Sequence, residues 1–441
     1  MKNRIILSVI TVGLLSSVSV QAADDISSMF SEGKTSGEIR AFYINRDDTT
    51  KPDNQIATAI GGHLKYETAA LNGLSLGTAF YTTNRILKSL ESDTASMLNT
   101  TLFKNDGSSY SLLGEAYVQY NAKALGSKTV FKVGRQKLNT PLAGADDARM
   151  VPNLFEAYVM QNQDIANTTI VLAHVTKMAA GSFSNAYNGG IVGATGGYTA
   201  VAGNTAKYQG EFTNMGEWAV GESTSGVSTL GVTYKNNNLK LQAWDYYAHD
   251  ILNAVYLQAD VKWKCVLSDA VKPFAAAQYI NESDIGNSYA GKVDSDFIGA
   301  KFGASIGGLK AYIAYSEQSK ASSAATALES ATITPWGGMP AFTQGMVTRH
   351  MFLPGTKATK VAATYKFDGV NLSATGYYAS FDMDANSGYG TARTAKEPGF
   401  DIKYKPASVK NLQLRLRGNF PTEFGNGRDW NEYRFIATYK F

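Results

Sequence analysis

From Asn431 to Phe441 the chain alternates with period two. Tyr433, Phe435, Ala437, Tyr439 and Phe441 fall on one face; Glu432, Arg434, Thr438 and Lys440 fall on the other, with Ile436 the exception. Successive side chains of a strand point to opposite faces, so this is one apolar and one polar surface. The pattern recurs. Gly114–Asn121 sets Glu115, Tyr117 and Gln119 against Ala116, Val118 and Tyr120, and Val255–Cys265 sets Gln258, Asp260, Lys262 and Lys264 against Leu257, Ala259, Val261 and Trp263. Lys360–Phe367 and Leu412–Arg417 repeat it. A soluble sandwich needs core strands of Val, Ile and Leu facing a second sheet; here the apolar faces are aromatic and small. A strand in lipid needs about 9–11 residues, apolar outward and polar or small inward.

The N-terminus reads as an export signal. Met1–Ala22 has basic Lys2 and Arg4, an apolar run Ile5–Leu15, and small residues ending Val20-Gln21-Ala22, the three regions of a secretory signal peptide. Cleavage after Ala22 is expected, leaving one domain over 23–441. Beyond it no apolar stretch approaches the roughly 20 residues a membrane-spanning helix needs. Charged residues are 18% of the chain, below the roughly 25% usual in soluble domains, as suits a chain with one surface in hydrocarbon.

Turn chemistry supplies the second constraint. Asn72-Gly73, Asn236-Asn237-Asn238, Gly307-Gly308 and Asp368-Gly369 each separate strand-like runs. Between them lie longer polar stretches: Asn45–Ala57, Arg85–Ser108, Lys137–Pro152, Ala180–Ser225, Lys320–Thr356 and Ala385–Glu397. Short turns at one end and long loops at the other are the asymmetry of outer-membrane barrels. The expected fold is all-β: a single transmembrane antiparallel β-barrel of about 18 strands, joined by nine long and eight short connections, with infolded extracellular loops and a water-filled lumen. The least marked strands are those near Phe155–Gln161 and Trp218–Tyr234.

Several segments resemble the OprD-type family of outer-membrane porins. Phe131-Lys132-Val133-Gly134-Arg135-Gln136 with Thr140-Pro141 is similar to its fifth strand leading into its third loop. Asp147-Ala148-Arg149-Met150-Val151-Pro152, then Phe155 and Ala157, is similar to the motif of that infolded loop. Gly37-Glu38-Ile39-Arg40-Ala41-Phe42-Tyr43 and Asn431-Glu432-Tyr433-Arg434 resemble its first and last strands. The resemblance spans the mature chain. It implies an outer-membrane location and passive diffusion of small hydrophilic solutes, often carboxylates such as amino acids. It further implies third and seventh loops that narrow the pore, and a basic ladder on the wall.

The residues supply such a row independently. Lys403 and Lys405 share one strand face, Arg415 and Arg417 a face of the next strand, and Arg434 points inward on the last; barrel closure brings Arg40 alongside. Cations in a narrow pore favour a carboxylate, which arginine can grip in a bidentate fork. The alternative is ordinary lumen charge paired with Asp401, Glu432 or Glu423. Opposite this row the third-loop segment Lys137–Pro152 carries Asp146, Asp147 and Arg149. The two aspartates either set a transverse field or hold the loop by pairing with Arg149 and wall arginines. Trp336-Gly337-Gly338-Met339-Pro340 either folds into the mouth, with Trp336 and Met339 as candidates, or forms a surface loop.

Other chemistry is weakly represented. Cys265 is the single cysteine, which excludes an internal disulfide and multi-cysteine metal sites; it is expected on an apolar face. His63, His174, His249 and His350 form no metal-ligand pair, and His63 and His174 read as hydrated inward residues. No G-x-S-x-G elbow occurs, and glycine-rich Gly189–Gly203 lacks a following helix. Asp47, Asp48 and Asp53 are not spaced as a calcium loop. The net charge of +4 is too small and dispersed for a nucleic-acid binder. No cofactor, metal or enzymatic activity is expected. The expected partners are outer-membrane lipid and small hydrophilic solutes, and the barrel is either a monomer or a homotrimer. A structural or adhesive barrel with a plugged lumen is the alternative, and an outer-membrane hydrolase a more distant one.

Overall fold

The computed structural model describes residues 22–86, 98–186, 209–425 and 427–441. The expected signal segment up to Gln21, the glycine-rich 189–203 stretch and parts of the second and fourth long loops lie outside the described residues.

Of 21 extended segments, Ala22–Ala23, Ala70–Leu71 and Thr213–Asn214 have two residues each. The other eighteen form the barrel: β1 (Lys34–Asp48), β2 (Gln55–Glu67), β3 (Leu74–Arg85), β4 (Tyr110–Asn121), β5 (Val130–Gln136), β6 (Leu154–Asn162), β7 (Thr168–Ala179), β8 (Val227–Lys235) and β9 (Leu239–Ala248), then β10 (Leu252–Lys262), β11 (Val271–Asp284), β12 (Asp294–Ile306), β13 (Leu309–Gln318), β14 (Lys357–Phe367), β15 (Leu372–Met383), β16 (Arg393–Tyr404), β17 (Leu412–Asn419) and β18 (Trp430–Lys440). Each pairs antiparallel with its sequence neighbours, and β1 closes on β18 from Glu38↔Lys440 to Asp48↔Trp430. Closure satisfies every ladder edge internally, which hydrocarbon demands.

The alternation sorts the two faces. Leu64, Ile298, Phe302, Ile313 and Val361 are all more than half exposed on the outside, an apolar surface far beyond what a soluble monomer tolerates. Trp263, Tyr365, Phe367, Tyr404 and Phe441 stand exposed around the short-turn end, as an interfacial aromatic girdle does. Ile436, the exception to the alternation, points inward and is buried with Phe42, Ile44, Met150 and Val151. The third loop packs on it.

The expected asymmetry of connections holds with corrections. The outer connection between β9 and β10 is only His249–Ile251, while the inner one between β10 and β11 spans 263–270. The outer connections are therefore not all long. Cys265 lies in that inner connection, past the end of β10 at Lys262, and not on a strand face. Trp218 belongs to a short helix, α2 (Met215–Val220), inside the fourth loop; β8 begins only at Val227. A first helix, α1 (Ile26–Ser31), is capped by Asp25, whose carboxylate accepts from Ser28 N at 2.7 Å.

His174 faces outward, not into the lumen. Its even-numbered neighbour Leu172 is exposed, whereas Val171 and Val175 are buried. The register slips between Glu156 and Ala157, where Glu156 faces Lys177 and Ala157 faces Val175. That bulge leaves Thr176 unpaired and inverts the phase of β7. His174 Nδ1 meets Ser228 Oγ at 3.0 Å, and Ser228 Oγ meets His249 Nε2 at 3.1 Å. His63 does face inward, stacked on Tyr81.

Candidate functional site

The third loop joins β5 to β6 and carries Asp146, Asp147 and Arg149. Arg149 is fully buried: its Nη2 donates to Glu432 Oε1 at 3.1 Å and its Nε to Thr101 Oγ1 at 3.2 Å. The Phe183 ring lies between Arg149 and Arg349, 4.5 and 5.3 Å from the two guanidinium carbons. Asp147 accepts from Arg40 Nη1 at 2.8 Å and Lys137 Nζ at 3.3 Å. Burial opposes the Asp147 charge, but Arg40 and Lys137 outweigh it and hold the carboxyl well below the ordinary range. Arg40 also donates to the Arg149 carbonyl. Asp146 reaches Arg349 of the seventh loop at 3.2 Å. Both aspartates are thus engaged with arginines. The loop leans on the ladder wall at Asp147 and Arg149, rather than standing wholly opposite it.

The seventh loop folds inward to meet the third. Gly144 N donates to Trp336 O at 2.9 Å, and Ala143 bridges to Trp336 and Gly337. Gly337 has φ +81°, and a Cβ there would sit 2.2 Å from Asn153 Nδ2, so this contact needs glycine. Trp336 is buried with its Nε1 on Met215 O at 3.2 Å, and Trp218 Nε1 donates to Pro335 O at 2.8 Å. Met339 is partly buried against the same cluster. Wall side chains tether the rest. Glu397 accepts from the backbone N–H groups of Met346, Val347 and Thr348, and Glu282 from that of Ile333.

The ladder candidates separate into two groups. Arg434 is buried beside Glu432, its Nε 3.1 Å from Oε1, and also donates to Asn419 Oδ1. Glu432 is further paired with Arg46 at 2.6 Å; one carboxylate therefore carries Arg46, Arg149 and Arg434. In the second group Arg415 grips Asp401 through two bonds of 2.7 and 2.5 Å, with Lys403 at 3.5 Å and Arg417 at 3.9 Å. The Arg417 Nε is buried without a hydrogen-bond partner among the described residues. Lys405 does not share the face of Lys403, because β16 ends at Tyr404; it lies in the following turn. There it lines a cavity of about 680 Å³ beneath the third loop, with Arg40, Asp147, Lys410 and Arg415.

Arg46 and Arg349 were not singled out in the sequence. Arg46 carries a legible signal, since it is in phase with inward Arg40 on β1. Arg349 carries none, because loop residues have no period. Asp48 is engaged by Arg428 at 2.5 Å and by Thr50. Six cations, Arg46, Arg149, Arg434, Lys403, Arg415 and Arg417, thus share two carboxylates. Such a wall can lower the energy of a passing anion through its excess of positive charge.

The chain matches the family model described as outer membrane porin, OprD family, over residues 28–441. Solved structures share its fold. Pseudomonas aeruginosa OpdK with vanillate has 15% identity and a TM-score of 0.72, covering 94% of this chain and 99% of that one. Pseudomonas aeruginosa OccK9 (OpdG) has 18% identity and a TM-score of 0.71, and Acinetobacter baumannii OccAB2 has 19% and 0.71, with the same coverage. No curated protein sequence matches.

Proposed function

The chain belongs to the OprD family of outer membrane porins, and we propose that it passes small hydrophilic solutes by diffusion with a preference for carboxylates. It is an outer-membrane channel of known fold; the selectivity is the proposal. Arg40, Lys403, Lys405, Arg415, Arg417 and Arg434 form the solute path, and Asp146, Asp147 and Arg149 hold the third loop across it. The single observation behind this reading is the clustering of six cations around Glu432 and Asp401 on the wall that the third loop meets. Arg417 reaches Asp401 only at 3.9 Å, so it is the ladder arginine assigned to meet a carboxylate that passes the third loop. Glu432 and Asp401 keep the guanidiniums ordered without neutralising them. Several moderate sites in series let a solute enter without trapping it.

The relative solved with vanillate makes aromatic carboxylates a sensible part of the test panel. Liposome swelling with amino acids, organic acids and neutral sugars reads the preference directly. Faster swelling with carboxylates than with sugars of equal size is expected, and equal rates would remove the selectivity claim. Trp218 and Trp336 packed inside the barrel favour a second reading, a plugged structural barrel. Discrete conductance steps in planar bilayers would exclude it. Assembly as a homotrimer is part of the same proposal, supported by the outward polar network of His174, Ser228 and His249 beside the shortest outer connection. Native mass in detergent tests it, and a monomer would count against it.

A further inference from the structure

At the short-turn end a small amphipathic helix rides on the outside of the barrel. In α1 (Ile26–Ser31) the apolar residues Ile26, Met29 and Phe30 fall at i, i+3 and i+4 and make one stripe, while Ser27, Ser28 and Ser31 take the remaining surface. Met29 is buried with Ala23 and Ala69, against Leu71 and Leu76. Its carbonyl accepts from Ala69 N at 2.9 Å, and the Phe30 carbonyl accepts from the Tyr66 hydroxyl. A Cβ on Gly33 would run into the Tyr66 ring, so the chain leaves the helix pressed against that side chain.

Tyr66 and Leu76 both belong to the lipid-facing side. Tyr66 pairs with Thr78, in phase with exposed Leu64 and Phe80, and Leu76 pairs with exposed Val118. Out of phase with them, Tyr81 and Tyr117 are buried on the lumen side. The helix is therefore seated on the outer flank of the β2–β3 hairpin, beside Ala70–Leu71, which pairs with Ala22–Ala23. Only the Met29 edge of the apolar stripe is covered there. Ile26 is 68% and Phe30 50% exposed, and they continue the outward apolar belt of Leu64, Leu74, Phe80 and Val118 past its lower edge. The flanking charge is all of one sign. Between Ala23 and Gly33 the chain carries Asp24, Asp25 and Glu32 and no lysine or arginine. Asp25 is used in the helix cap, where it accepts from Ser28 N; Asp24 and Glu32 stand exposed.

We propose that α1 is an interfacial anchor that docks on the inner leaflet of the membrane, on phospholipids whose headgroup ends in an ammonium, as in phosphatidylethanolamine. A helix of this kind lies in the membrane plane with its apolar side at the boundary between headgroups and acyl chains. Six residues are too few to hold a helix in water; here the barrel holds it through Met29 and Tyr66, so Ile26 and Phe30 meet the lipid already ordered. Interfacial helices that seek anionic lipid carry lysine and arginine on their polar face. This one carries carboxylates, which repel an anionic headgroup and attract an ammonium. The anchor fixes the height of the β2–β3 side of the barrel against the inner phosphates. It depends on the barrel alone and is independent of which solute passes.

Cys265 is the single cysteine, so Cys265→Ser gives a background for nitroxide labels placed one at a time by Ile26→Cys, Phe30→Cys and Ser27→Cys. Each full-length barrel, checked for native circular dichroism, is reconstituted in phosphatidylcholine vesicles containing either phosphatidylethanolamine or phosphatidylglycerol. Accessibility to oxygen, which enters lipid, is compared with accessibility to a water-soluble nickel chelate. Labels at 26 and 30 are expected about 5–10 Å below the phosphates, and the label at 27 in water. Immersion should be deeper with phosphatidylethanolamine, and Asp24→Asn/Glu32→Gln should abolish that difference. Labels at 26 and 30 as open to the chelate as the label at 27 would overturn the anchor. Shielding of both from oxygen and chelate alike would mean that a protein partner covers the helix, which also overturns it. Equal depth in the two lipid mixtures would overturn the headgroup preference. Conductance enters none of these readouts, so failure of the solute path would leave them unmoved.

Discussion

Arg149 on the third loop and Glu432 on the last strand meet at 3.1 Å with both side chains fully buried, fastening the constriction to the seam where the barrel closes. Glu432 also carries Arg46 and Arg434. Breaking a buried pair by removing one partner costs about 3–5 kcal/mol, because the other charge is left uncompensated. Glu432→Ala strands three guanidiniums, whereas Arg149→Ala leaves Glu432 with two partners. Thermal unfolding of the detergent-solubilised barrel should therefore shift further for Glu432→Ala. Arg149→Ala should chiefly release the loop, seen as larger and noisier single-channel conductance. Equal thermal shifts would count against this ordering.

Arg417 approaches Asp401 only at 3.9 Å. Arg417→Gln should lower anion-over-cation permeability with little loss of stability, since few bonds break. Asp401→Asn should raise anion preference by freeing Arg415 and Lys403. Reversal potentials in a salt gradient measure both, and displacement in the same direction would refute the assignment.

Gly337 holds φ +81° in the contact between the third and seventh loops. Gly337→Ala introduces both left-handed backbone strain, about 1–3 kcal/mol, and a clash with Asn153. The loops should separate, giving new conductance substates. A current trace identical to wild type would mean that the loops do not depend on this contact.

His350 of the seventh loop is buried against Phe381 and Phe424 and contacts the Phe424 carbonyl. Burial, reinforced by nearby Arg393 and opposed by that carbonyl, pushes its pKa down to about 4. The unfolded state therefore binds the proton first as pH falls from its ordinary value near 6.5. The stabilisation is present above that value and is lost progressively down to about pH 4. Channel noise should increase over that window in wild type and lose this dependence in His350→Asn. A pH-independent wild type would refute the assignment.

Period two made the strands readable, and the last strand was legible residue by residue, including its inward Glu432 and Arg434. Even its exception, Ile436, proved to be an inward residue covered by Met150 and Val151. His174 was misread because the bulge at Thr176 inverts the phase of β7, and a bulge leaves no mark in composition. Lys405 was misplaced because alternation does not say where a strand stops. Arg349 was missed because a loop has no repeat from which to infer a direction.

By itself the sequence determined a closed antiparallel barrel, its approximate strand number and the inward side of most strands. Alternation is a local property, set by backbone geometry within each strand. Which inward charges become neighbours was decided only by the tertiary structure. Register between strands placed Arg46 opposite Glu432, and the return of two loops into the lumen brought Arg149 to Glu432. Both depend on contacts between residues far apart in the chain, and no local period encodes them.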